Sequence, residues 1–163
     1  MKAAIASAVL AAIATGAPNP VTAPATISVD VNSWGRRVVE WSIDARGEGR
    51  YSAVEPNAFA RDARWVVRRV AVGPKGYRQL RALLASVERR GAGALPCTIA
   101  VTDGPYGDVR WSGPGGERHA IRYLAGCREP ATQNAVDAIF NAGALIRRWS
   151  AKGEIIEDRK VTP

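Results

Sequence analysis

The chain holds one histidine and two cysteines, and these bound the chemistry open to it. His119 falls in strand register with Ile121 and Tyr123, and no carboxylate or nucleophile in the sequence can be named as its partner. It reads as a packed or surface histidine rather than a general base. Ser42, Ser86 and Ser112 lie outside any G-x-S-x-G nucleophile pattern. Asp103 and Asp108 flank Gly104-Pro105-Tyr106-Gly107, where they could act as cation ligands or as paired carboxylates, or simply satisfy backbone N–H groups of a turn. Gly113-Pro114-Gly115-Gly116 lacks the lysine and helix of a phosphate loop. Two cysteines and one histidine are too few for a structural zinc site. No catalytic residue, metal site or cofactor is therefore assigned, and the chain reads as non-enzymatic. Cys97 and Cys127 read instead as one disulfide, with two buried thiols as the alternative. Such a bridge contributes about 3–4 kcal/mol in the chain-entropy treatment. A redox-active pair would sit as C-x-x-C.

A disulfide requires an oxidising compartment, and the first residues point to one. Met1-Lys2 precedes a run from Ala3 to Ala14 that carries no charge. This is the length of a signal-peptide apolar region and too short to span a bilayer. Ala23-Pro24-Ala25 fits an A-x-A cleavage pattern, and Thr15-Gly16-Ala17 and Ala12-Ile13-Ala14 are alternatives. The expectation is a signal peptide over residues 1–25 and one α+β domain over 26–152, with a charged, flexible tail over 153–163. No later run is long and apolar enough for a membrane helix. Localisation is expected to be periplasmic or secreted, which sets nucleic acid aside as a partner.

The net charge is +8, and lysine occurs only at positions 2, 75, 152 and 160. Arginine clusters at Arg36-Arg37, Arg68-Arg69, Arg89-Arg90 and Arg147-Arg148. They suggest an anionic envelope partner, or only the residue usage of a GC-rich genome. Trp41, Trp65, Trp111 and Trp149 fall on faces expected to be apolar. Trp34, beside Arg36 and Arg37, is the best candidate for an exposed aromatic–arginine binding surface.

Alternating patterns mark strands at Ile27–Val31, Val39–Ile43, Arg50–Val54 and Trp65–Val70. Helical spacing of Tyr77, Leu80, Leu83, Leu84 and Val87 predicts a helix over 75–90. Val109–Trp111 and Arg118–Leu124 form a hairpin, and Pro130 opens a last helix reaching Ser150. Thr98 to Tyr106 is read as a crossing segment that leads into that hairpin, so that Cys127 returns beside Cys97. The expected fold is a mostly antiparallel sheet of about five or six strands, with two helices packed on one face.

From Gly49 to Trp149 the element order resembles small exported bacterial proteins of unknown function. The residues behind this are Gly49, Tyr51, the Tyr77–Val87 helix, Thr102-Asp103-Gly104-Pro105 and Tyr123. A more local likeness, over Cys97 to Cys127 with Trp111 and Gly113 near the turn, is to subtilisin-inhibitor-like proteins. It implies a protease-binding loop at Thr98-Ile99-Ala100. That family's second disulfide is absent here, and it lacks a helix like 130–150. The leading expectation is an exported binding or accessory domain of the envelope. A serine-protease inhibitor and an arginine-based binder of anionic ligands are the alternatives.

Overall fold

A computed structural model describes residues 25–161 except 102, 114 and 117. The signal-peptide expectation falls on residues almost wholly outside these. Strands β1 (Thr26–Ser33), β2 (Arg36–Asp44), β3 (Glu48–Glu55) and β4 (Arg64–Ala71) form an antiparallel meander. Helix α1 (Gly73–Glu88) follows, then a two-residue strand β5 (Gly93–Ala94), the hairpin β6 (Tyr106–Ser112) and β7 (Arg118–Leu124), helix α2 (Pro130–Ser150) and β8 (Ile155–Lys160). All eight strands join one sheet in the order β5-β7-β6-β1-β2-β3-β4-β8, and only the β5–β7 pair is parallel. The α+β class, the two helices and the largely antiparallel sheet agree with the sequence reading.

Period-2 alternation sends Ile27, Val29, Trp41, Ile43, Val109, Trp111, Ile121 and Tyr123 to one face, where they are buried with Leu80, Leu84, Ile139 and Ile146 of the helices. The opposite face is polar. Its central feature is Asp30, buried on β1 and held by Arg110 and Asn32, with Arg37 at 4.0 Å.

Two expectations are corrected. The strand count of five or six is too low, because β5 and β8 carry too few apolar residues to register as strands. The 153–163 segment is not a frayed tail: residues 155–160 pair with β4, with the Arg64–Asp158 ion pair at 2.6 Å and the Arg159 guanidinium 5.9 Å from the Trp65 ring. Every residue of β8 is exposed, so burial never imposed an apolar alternation on it. Its charges suit an edge strand, which must resist further pairing. Trp65 accordingly lies on the open face and is only half-buried, not in the core.

Gly107 sets the closest approach in the sheet. A Cβ there would lie 1.9 Å from the Asp30 carbonyl oxygen and 3.0 Å from the Tyr123 hydroxyl, which donates to that same oxygen at 3.0 Å. Burial pushes the Tyr123 phenol far above its usual ionisation range, so it remains a donor. Gly→Ala in a strand is otherwise mildly favourable. Here Gly107→Ala is expected to lower stability by about 2–4 kcal/mol through the clash and the orphaned hydroxyl. Denaturant unfolding reads the sign directly, and an unchanged or raised midpoint would contradict this packing.

Candidate functional site

The residues singled out from sequence fall in separate places. Trp34 and Gly35 form a two-residue hairpin tip between β1 and β2, both with positive φ (51° and 74°), the conformation such turns demand. Trp34 is 69% exposed and Arg36 is exposed beside it. Arg37 is engaged instead, donating to Glu40 at 3.0 Å.

Cys97 and Cys127 are bonded, with Cα atoms 5.6 Å apart. The bond ties an extended segment, Thr98-Ile99-Ala100, to the start of α2. Arg128 N–H donates to the Ile99 carbonyl at 3.1 Å, Val101 N–H donates to the Gly126 carbonyl at 2.9 Å, and Ala100 bridges Cys127. Glu129, at the N-terminal boundary of α2, accepts from the Thr98 N–H and hydroxyl. These bonds, the hydroxyl first, hold its carboxyl below the usual range. Ile99 projects from this clamp, 63% exposed. The ligand atoms of Cys97, Cys127 and Glu129 lie within 4.8 Å of one another, but bonded sulfurs are not thiolate ligands.

His119 stacks on Trp111 with ring centroids 4.8 Å apart and planes at 11°. Its buried Nε2 and the buried Trp111 Nε1 have no hydrogen-bond partner among the described residues. Asp108 lies on β6, bonded to Arg110 at 2.8 Å and to Arg122 at 3.3 Å. Asp103 sits in the preceding turn, and the two aspartates build no common site.

A different constellation stands out between α2 and strands β1 to β3. Val31, Val39, Trp41, Ile139 and Phe140 line a cleft of about 270 Å³, which Tyr51 and Arg147 share with a second cavity of about 230 Å³. Glu55, Arg68 and Ser150 wall that second cavity. Sheet register produces the arrangement. Val29, Trp41, Tyr51 and Arg68 occupy one lateral row across β1, β2, β3 and β4, so the floor passes from aliphatic to aromatic to charged.

The polar groups along this floor divide into satisfied and unsatisfied. Arg68 grips Glu55 bidentately, one bond at 3.0 Å, and that hydrogen bonding raises its own ionisation range. The Ser150 hydroxyl donates to the Arg147 carbonyl at 3.0 Å. Trp41 and Tyr51 are at least nine-tenths buried, yet the indole Nε1 and the phenol oxygen have no partner among the described residues. Burial pushes the Tyr51 phenol upward, keeping it protonated. Arg147, exposed at the rim, has no carboxylate partner among the described residues. Sequence pattern had placed Trp41 in the core and Arg147 in a charge cluster. Pairing of β2 with β3 sets Trp41 beside Tyr51, and the seat of α2 over these strands brings Arg147 to them.

No family model matches this chain, and no curated protein and no solved structure is similar to it.

Proposed function

We propose that the chain is an exported, non-enzymatic binding protein of the envelope whose ligand inserts an apolar body into the cleft between α2 and β1 to β3. The disulfide is compatible with that compartment. No helix among the described residues is long and apolar enough to cross a membrane. The observation that carries the reading is a pair of donors on largely buried side chains, Trp41 Nε1 and the Tyr51 hydroxyl, that have no protein partner among the described residues and line an otherwise apolar cleft. Two donors that open onto one cavity are what a small-ligand site provides for orientation.

Gly143 supports the reading independently. Glycine inside a helix costs about 0.5–1 kcal/mol relative to alanine. A Cβ at this position would meet Trp41 Nε1 at 3.6 Å and nothing else within 4 Å, an ordinary contact. Packing does not forbid alanine there, and the glycine leaves the cleft floor open.

A second reading is inhibition of a serine protease by Thr98-Ile99-Ala100. It is favoured by the exposure of Ile99 on a segment clamped by the disulfide.

Gly143→Ala is expected to raise the melting temperature and weaken binding of the neutral dye N-phenylnaphthylamine. Gly143→Leu is expected to fill the cleft and abolish dye fluorescence. Equal enhancement in all three proteins would rule out the cleft. For the second reading, slow, tight inhibition that Ile99→Pro removes is the expected outcome. Full activity of trypsin-, chymotrypsin- and subtilisin-like enzymes in the presence of the protein would end it.

A further inference from the structure

Resting on the cleft reading, we infer that the ligand is a small amphiphilic carboxylate, its acyl body over Trp41 and its head held by Arg147 and the Tyr51 hydroxyl. The chemistry of the unmatched groups points to this class. The Trp41 indole N–H can only donate, the Arg147 guanidinium can only donate, and a protonated phenol can donate as well. The Glu55 carboxylate is engaged by Arg68, and the Ser150 hydroxyl donates to the helix backbone. The Tyr51 hydroxyl can also accept, but a ligand acceptor is favoured because its head meets Arg147 and Tyr51 together.

Charge selects among acceptors. The charged residues that wall the second cavity are Glu55, Arg68 and Arg147, and of these only Arg147 also lines the cleft. The first two cancel, which leaves one positive charge. That charge calls for one negative charge on the ligand. The planar fork of arginine matches a carboxylate bidentately. The C-terminal end of α2 carries partial negative charge, so the helix itself does not attract an anion. The head must be held by side chains, and Arg147 and Arg148 both lie in the last turn. Arg148 lines neither cavity, which assigns the contact to Arg147.

The body follows from the walls. Val31, Val39, Ile139 and Phe140 supply only apolar surface. Phe140 stands at the rim, 38% exposed, where an unbranched chain could enter. The cleft's volume of about 270 Å³ lies just below the usual range of ligand pockets and sets the scale at a short or medium acyl chain rather than a two-chain lipid.

The test titrates the purified protein with octanoate, octan-1-ol and octylammonium, following the assigned Trp41 Nε1–H resonance. Octanoate is expected to bind at least about tenfold more tightly than either other probe, as a charge-assisted hydrogen bond implies. Arg147→Gln, an exposed change that leaves the core untouched, is expected to weaken octanoate about tenfold and to leave octanol within about twofold. Octanol binding as tightly as octanoate, with Arg147→Gln indifferent to both, overturns the carboxylate assignment while the cleft stands. A Trp41 resonance that moves with none of the three overturns the cleft reading and this inference with it.

Discussion

Eight strands set about 4.8 Å apart make a sheet some 34 Å wide, whereas two packed helices, each about 10 Å across, cover about 20 Å of it. That mismatch governs the molecule. The helices pack against each other, and α2 lies closest to β4 and β3. The β8 edge is exposed along its length, and one flank of α2, over β1 to β3, leaves a cleft. One margin is resolved by charge: β8 presents Glu157, Asp158, Arg159 and Lys160 to water. The other is not fully resolved, and the cleft at Trp41 and Tyr51 is what remains.

Lateral register turns this shortage of cover into chemistry. On the helix-facing side, Ile121, Val109, Val29, Trp41, Tyr51 and Arg68 form one row across β7, β6, β1, β2, β3 and β4. Beneath the helices the row is aliphatic and dry. As cover thins it acquires an indole N–H, then a phenol, then a guanidinium. Each step outward carries a group that tolerates more water. Arg147, reaching in from the last turn of α2, faces the wet end of the same row. The glycine at 143, one turn earlier, keeps the helix surface flat where the indole needs room.

Much of this architecture was legible in the sequence, because burial writes itself into periodicity. The meander from Ile27 to Val70, the helix through Tyr77 to Val87, and the helix opening at Pro130 all announce one apolar side. The Cys97–Cys127 pairing followed from parity and compartment, and it falls at bonding distance. What escaped was whatever burial does not shape. β8 is exposed along its length, and Trp65, a large aromatic, sits on the open face under Arg159 rather than in the core. The cleft escaped for another reason. Trp41 and Tyr51 each look like ordinary core residues, and Gly143 looks like a small residue in a helix stripe. Only their juxtaposition, set by strand register and by where α2 lies, shows that two donors without a protein partner among the described residues line one cleft. Trp34 and Arg36, the pair that composition picked out, are indeed exposed, but Arg37 is held by Glu40 and no cavity backs them among those described.

The central claim is that the space between α2 and β3 belongs to a ligand. The most direct measurement is a crystal structure of the protein soaked with octanoate. The account expects continuous density over the Trp41 ring, a carboxylate against the Arg147 guanidinium and the Tyr51 hydroxyl, and α2 unmoved. A cleft closed by Phe140 turning inward onto Trp41, with no density for the acyl chain, would contradict it.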